Sequence, residues 1–427
     1  MKKIVLTFAA LAATATSFAG GLLTNTNQHA AFLRNPSRQA IIGIDGVYTN
    51  PAGVAFMPQG FHLGVTWQAA MQKRQMNVTN PWYAGNVNNP NDTRTFEGKV
   101  AAPVIPSIQA AYVINDKWSV SANFAIAGGG GKCEFEQGLP MFEEIVANNL
   151  LLMGQNKYSL NQTLTGEQYF YGLQLGATYK FTENFSVFGG VRGIMANSSY
   201  TGYITDIKIA GTMDTGLEYK LDCKQDGIGF QPIIGANLKL GKLNIGAKYE
   251  FRAKIELENE SKNSPSLATI NHPAVAAFAD GAMVRSDIPA LLSVGAQYEV
   301  TENIRAMVGA NYYFDKDAKG SATAVSDDTY EITLGAEWDI DENWTVGIGG
   351  QRTQYGFADS DMTDTSFNIS SYGLCVGGAY KFSEKLKLNF GYMHSFYDDH
   401  KFTNKNGTAC NYTRKNDVVG VSLDFKF

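Results

Sequence analysis

The sequence predicts an all-β protein: a transmembrane antiparallel β-barrel of about fourteen strands, preceded by a small helical segment at its N-terminal end. Three observations carry this expectation. Long stretches alternate apolar and polar residues with period two. The turns between them alternate between short polar ones and much longer ones. Aromatic side chains gather beside the short turns, as a membrane interface selects.

The alternation is clearest in LNIGAKYEFRAKIEL, residues 243–257. There Leu243, Ile245, Ala247, Tyr249, Phe251, Ala253, Ile255 and Leu257 share one face, and Lys248, Glu250, Arg252 and Lys254 the other. The pattern recurs at 118–126, 173–181, 304–314, 330–340, 386–392 and 419–427. Short turns fall at 115–116, 182–184, 241–242, 301–303, 341–343 and 383–384. Longer connections lie at 79–93, 138–163, 206–220, 259–286, 317–326, 357–367 and 402–412. Trp118, Tyr179, Phe185, Tyr298, Trp338, Trp344, Tyr380 and Phe382 flank the short turns, and the chain ends on Phe427. Only a closed barrel lets strands cross lipid with every backbone group paired. The apolar row then faces lipid and the polar row the lumen. A soluble sandwich would use shorter strands.

Composition narrows the function classes. A formal charge of -5 over 427 residues gives no basic footprint for nucleic acid. Lys2 and Lys3, an apolar run to Ala15 and Ser17-Phe18-Ala19 read as a secretory signal peptide over residues 1–19. Cys133, Cys223, Cys375 and Cys410 are too sparse for a disulfide scaffold and lack metal-ligand spacing, so no metal or cofactor is expected and any pairing stays open. No Gly-x-Ser-x-Gly elbow and no His-Glu-x-x-His pattern occurs, so an enzyme is not expected.

Residues 20–59 do not alternate. Asn35 before Pro36 and Asn50 before Pro51 each suit the start of a short helix, with Asn as cap and Pro in the first turn. The stretches GGLLTNTNQHAAFLRNPSRQA and IDGVYTNPAGVAFM, with the Asn50-Pro51-Ala52 triplet, resemble the FadL-type long-chain fatty acid transporters. PVIPSIQAAYVINDKWSVSANFAIAGGGG, residues 103–131, resembles the same family. The resemblance covers essentially the whole chain after residue 19. It implies an N-terminal hatch (20–59) inside a barrel (60–427) in the outer membrane of a Gram-negative bacterium. It also implies passive uptake of fatty acids or other apolar compounds, and a kinked third strand through which ligand leaves sideways. The expected partners are a hydrophobic small molecule together with outer-membrane lipid and lipopolysaccharide, with the protein acting as a monomer. A general porin for polar solutes and a lipid-acting barrel enzyme are the competing readings.

The third strand carries its own sign of a break. Its apolar positions are even up to Ile126 and odd at Cys133 and Phe135, across Gly128, Gly129, Gly130 and Gly131. A change of parity across glycines is what a bulge produces. Pro103 and Pro106 on the neighbouring strand donate no ladder hydrogen bonds. These six residues are the expected lateral portal. In the loop 138–163, Phe142, Ile145, Val146, Leu150 and Met153 suit one face of a helix that captures apolar ligand, with 273–285 as a helical companion. For an acid ligand, Arg192, Lys248, Arg252 and Arg305 are the expected lumen cations. Met195 and Met307 would line an apolar cavity. The resemblance implies a basic contact on strand five where this chain has Asn197, which leaves open whether the ligand is an acid.

Overall fold

The computed structural model describes residues 28–427 except 269–275, 321–325, 366 and 405. The expected signal peptide, the first residues of the hatch and the start of the 273–285 segment lie outside the described residues. Fourteen strands close the cylinder in chain order: β1 Gly60–Thr79, β2 Thr93–Val113, β3 Trp118–Phe135, β4 Tyr158–Lys180, β5 Phe185–Ile209, β6 Tyr219–Leu240, β7 in two pieces, Leu243–Glu250 and Glu256–Ser261, β8 likewise, Met283–Arg285 and Leu291–Glu299, β9 Ile304–Tyr313, β10 Thr329–Asp339, β11 Trp344–Gln354, β12 Ser371–Ser383, β13 Leu386–Tyr397 and β14 Ala409–Lys426. All pair antiparallel with their neighbours, and β14 closes on β1 from His62–Lys426 to Thr79–Ala409. No free sheet edge is left in the hydrocarbon.

Alternation sets the outer face. On β1, Phe61, Val65, Trp67 and Met71 point outward and are exposed, while Thr66 and Gln68 point inward and are buried. The span from Phe61 to Met71 fits the roughly 9–11 residues a tilted strand needs to cross the membrane. Paired rings ring the short-turn end: Trp118 on Tyr179 and Trp344 on Tyr380, each at 4.8 Å, and Phe61 against the terminal Phe427 at 5.7 Å.

Strands β7 and β8 depart from the expected continuous alternation. Both are interrupted at the same height, joined there by the single bridge Ala253–Ile288. Below the break the inward residues of β7 are even, such as Lys248 and Glu250; above it they are odd, namely Ala253, Ile255 and Leu257. An extra residue relative to β6 produces this switch: Ile233 pairs with Glu250 but Ile228 with Glu256. Lys254 is therefore exposed, not in the lumen.

The described part of the hatch lies inside the cylinder. It contains α1 (Ala30–Arg34), α2 (Gly46–Thr49) and a 3-10 turn, Pro51–Phe56. Asn50 does precede a helical turn with Pro51 in its first position, and Ala52 is fully buried. The Asn50 amide nonetheless bonds Ile41 O at 3.0 Å and Asn237 Oδ1 at 2.7 Å instead of capping. Asn35 differs more: it ends α1 rather than starting a helix at Pro36, and its Oδ1 accepts the Ser37 N–H at 3.0 Å. Packing against Gly335 explains the choice, since any Cβ there would collide with the Asn35 amide.

Buried ion pairs fix the hatch to the wall. Arg34 Nε and Arg38 Nη1 both reach Glu337 Oε1 at 2.8 Å, Arg38 Nε reaches Asp45 at 2.7 Å, and Arg34 Nη1 donates to Asn389 at 2.7 Å. His29 Nε2 lies 2.8 Å from Asp424. On the opposite wall, Gln174 and Thr178 donate to hatch carbonyls of Val47 and Pro51, each at 3.0 Å. Removing one partner of a buried pair strands the other charge. Glu337→Ala should therefore cost about 3–5 kcal/mol in denaturant unfolding of the folded barrel, while the double change Glu337→Met, Arg34→Met should recover most of that loss. Equal stability of all three proteins would show that the network does not hold the hatch.

Candidate functional site

The β2–β3 ladder is interrupted in mid-wall. Val100 pairs with Cys133 and Ala101 with Lys132, and the next pair is Ser107–Ala125. Residues 102–106 of β2, including Pro103 and Pro106, and 126–131 of β3, including Gly128, Gly129, Gly130 and Gly131, have no partner across this seam. Each strand stays paired on its far side. β3 carries two bulges against β4, between Ile126 and Gly128 and between Gly129 and Gly131. β2 carries one against β1, between Ala102 and Ile105. Gly129 has φ +71°, a conformation side chains resist.

The expected change of parity along β3 is not what the apolar residues reflect. Two bulges restore the original phase, so Phe135 points inward and is buried. Cys133 and Phe135 are apolar because the lumen is apolar at their height. All four cysteines are free thiols.

Gln28 stands behind the seam. Its amide donates to the Ile126 carbonyl at 2.9 Å, an acceptor that the interrupted ladder leaves free. Its own carbonyl accepts from the Ser107 hydroxyl and, at 2.9 Å, from the Gln109 amide. Unpaired backbone within a membrane costs several kcal/mol, and the hatch end offsets this at the Ile126 carbonyl.

The extracellular half of the lumen is an apolar core. Met76, Phe96, Phe135, Leu164, Ile204, Leu221, Phe278, Phe367 and Tyr412 belong to it. It is roofed by α3 (Pro140–Leu152). Phe142, Ile145, Val146 and Leu150 share one face as expected, but that face points down into the core and is buried. Only the end of the helix presents apolar surface outward: Leu151, Leu152 and Met153 are exposed. The proposed companion segment gives a strand piece at Met283–Arg285, and Phe278 packs on Tyr200 at 5.5 Å.

Carboxylates at the start of α3 clasp this roof. Glu143 accepts from Asn86 (2.8 Å), Tyr158 (3.0 Å) and Arg94 (2.9 Å). Glu144 accepts from Tyr83 (3.0 Å), Asn406 (2.7 Å) and Thr408 (2.5 Å). Asp364, in the loop 355–370, accepts the Met141 N–H at 2.8 Å and the Tyr412 hydroxyl at 2.5 Å. Of these three buried acids only Glu143 has an ion-pair partner among the described residues, Arg94.

Of the expected lumen cations, Arg192 and Lys248 do face inward, but Glu250 takes both, each at 2.6 Å. Arg305 is held by Asp339 (2.9 Å) and Glu337 (3.5 Å) near the short-turn end. Arg252 lies in the β7 break, 3.8 Å from Asp287, and is not a lumen residue. Met195 and Asn197 sit on the outward parity of β5: Met195 is 56% exposed, and Asn197 bonds Asp226 on the outer face. Met307 faces inward but packs on the Asn35 amide of the hatch. A cavity between hatch and wall, lined by Arg38, Tyr48, Lys248 and Tyr313, holds only about 50 Å³, room for a water or two.

Sequence reading missed a different pair. Arg74 on β1 and Arg414 on β14 are directly opposed and point inward beneath the apolar core. Neither has a carboxylate within ion-pair distance among the described residues. Arg74 donates to Thr365 O at 2.8 Å and Arg414 to Phe367 O at 3.2 Å, while Arg414 Nε is buried without an acceptor. Their guanidinium groups lie over the rings of Phe367 (5.9 Å) and Tyr397 (4.9 Å). The even parity of Thr66 and Gln68, carried up β1, was the signal for Arg74.

Burial, and then the charge of Glu144, push the Asp364 carboxyl up to about 7. Burial also raises Glu143, against the pull of Arg94. A carboxyl with a raised value in the closed state takes up a proton on closing. Closure is therefore strongest below the ordinary carboxylate range and weakens as pH rises toward 7. After correction for intrinsic exchange, amide protection of α3 should fall between about pH 4 and 7, and Asp364→Asn should flatten that dependence. Protection that is flat in the unaltered protein would remove the latch.

A Gram-negative porin family model matches residues 145–358, half of the chain. No curated protein matches the sequence. Among solved structures, a FadL homologue from Pseudomonas aeruginosa is similar at TM-score 0.70 and 14% identity, covering 95% of this chain and 99% of its own. The toluene transporter TodX of P. putida is similar at TM-score 0.62 and 13% identity, with 97% and 98% covered. The Ralstonia pickettii toluene transporter TbuX is similar at TM-score 0.55 and 14% identity, with 97% and 99% covered. At such identities the likeness is one of fold. A closed fourteen-stranded barrel with an apolar outer band, matched by this family across half its length, belongs to the Gram-negative porin family of outer-membrane proteins.

Proposed function

We propose that the protein is a passive outer-membrane channel for hydrophobic compounds carrying an acidic head, long-chain fatty acids foremost. One observation carries the reading: two lumen arginines without a carboxylate face the apolar extracellular core just above the unpaired β2–β3 stretch. An apolar tail suits the core, and a carboxylate suits paired guanidinium groups far better than backbone carbonyls do. The exposed Leu151-Leu152-Met153 end of α3 is the first contact for ligand from outside. The ligand head displaces the Thr365 and Phe367 carbonyls, and the tail leaves between β2 and β3 into the membrane, where an apolar molecule is stable.

A plain porin would need a continuous water path, whereas among the described residues the hatch network fills the lower lumen beside a polar cavity of about 50 Å³. The resemblance of the hatch segments to FadL-type fatty acid transporters supports the acid reading. The toluene transporters among the similar folds favour a neutral aromatic ligand, so the charge of the ligand is what must be tested. For the double change Arg74→Gln, Arg414→Gln, binding of an eighteen-carbon acid should weaken about a hundredfold, while the matching alcohol and toluene bind as before. Equal affinity of acid and alcohol for the unaltered protein would move the reading to neutral hydrocarbons. Deleting the bulge residues Ala127 and Gly130 should let β3 run in register and reduce uptake into vesicles to that of protein-free controls, with the barrel still folded. Undiminished uptake would exclude lateral exit.

A further inference from the structure

We propose that the outer face of β14, β1 and β2 holds a seat for the phosphate groups of a phosphorylated glycolipid of the outer leaflet. The inference rests on the chain being an outer-membrane barrel and on nothing about its transported ligand.

Lys73 on β1 is directly opposite Lys415 on β14 and directly opposite Lys99 on β2. All three are exposed and lie on the outward parity, since Arg74, Arg414 and Gly98 beside them point inward. Three like charges side by side across adjacent strands destabilise a sheet unless something neutralises them. The surrounding acids are already engaged. Glu97 is 2.6 Å from Lys73, and Glu134, opposite Lys99, is 2.5 Å from Lys132. Glu167 lies beside Lys132 as well. Asp417 accepts from the Tyr392 hydroxyl at 2.6 Å and from His394 at 2.7 Å. Lys99 and Lys415 have no carboxylate within ion-pair distance among the described residues, and they stand two strand spacings apart, about 10 Å.

The height of the row identifies its occupant. Met71 and Val419, the exposed apolar residues at the top of the outer band, lie just below it. Gln75, Asn77, Thr95 and Thr413 lie just above. The long loops are at this end, so the row sits at the headgroup level of the outer leaflet. Clustered lysines at that level recognise lipid phosphates, and the amides and hydroxyls above them suit sugar hydroxyls.

The full-length protein in mild detergent tests this, with diphosphorylated lipid A, its dephosphorylated form and inorganic phosphate as probes. Bound lipid is read by native mass spectrometry and by the shift in thermal unfolding. The triple change Lys73→Gln, Lys99→Gln, Lys415→Gln should weaken lipid A binding about a hundredfold, and removal of the phosphates should have the same effect on the unaltered protein. Lys220→Gln, a lysine paired with Glu218 elsewhere, should change nothing. Equal binding by the triple variant, or equal binding of dephosphorylated lipid, would overturn the proposal. Full competition by inorganic phosphate would mean an adventitious anion only. Fatty acid binding by the triple variant should stay unchanged, so a failure here and a failure of the uptake reading are separable.

Discussion

Everything in this barrel follows from the need to pair each backbone N–H and C=O where no water can do so. That need closes β1 on β14, makes every strand two-faced, and confines irregular backbone to places where protein covers it. The β2–β3 seam is the instructive exception. Two prolines and a run of glycines give up cross-strand bonds at one height, and the freed Ile126 carbonyl is satisfied by Gln28 of the hatch. A wall that leans on a mobile-length polar side chain at one point can be opened there at the cost of a few hydrogen bonds. The same opening in an uninterrupted pair such as β1 and β14 would break a whole ladder.

The lumen is divided by chemistry. Its lower part is polar and locked: Arg34, Arg38, Asp45 and Glu337 form a buried network in which each charge depends on the others. Removing the hatch bodily would part Arg34 and Arg38 from Glu337, which buried charge does not tolerate. The upper part is apolar and roofed by α3, and its fastenings are of a different kind. Glu143, Glu144 and Asp364 hold the roof with one arginine among them, so the roof is the weaker closure. Motion is therefore expected above the hatch and at its Gln28 end, with its body as a fixed floor.

Much of this was legible in the sequence, because period-two alternation reports lipid contact directly. Strand number, turn order and the aromatic rim follow from it, while the interrupted β2–β3 pairing was signalled by Pro103, Pro106 and Gly128–Gly131 themselves. What failed did so for one reason: apolarity marks burial from water, whichever side the side chain faces. Cys133 and Phe135 are apolar toward an apolar lumen, Phe142 and Val146 toward the core beneath them, and Met195 toward lipid. The β7 break was hidden because Ala253, Ile255 and Leu257 switch from the lipid face to the core without any change in character. Asn35 and Asn50 were expected as helix caps, but their amides serve wall contacts that only the tertiary structure creates.

The loop 355–370 ties the two weak points of the upper half together. Its Asp364 anchors the start of α3, and within three residues its Thr365 and Phe367 carbonyls occupy Arg74 and Arg414. A carbonyl offers a guanidinium only a partial charge, whereas a carboxylate offers a full one in bidentate geometry. On the proposed function, an acid head arriving at the arginines would displace the very segment that fastens the roof. Binding and opening would then be one equilibrium, since any ligand that favours the displaced loop must favour the unlatched roof to the same degree. The coupling needs no pathway across the molecule, because both contacts lie on one short stretch of chain.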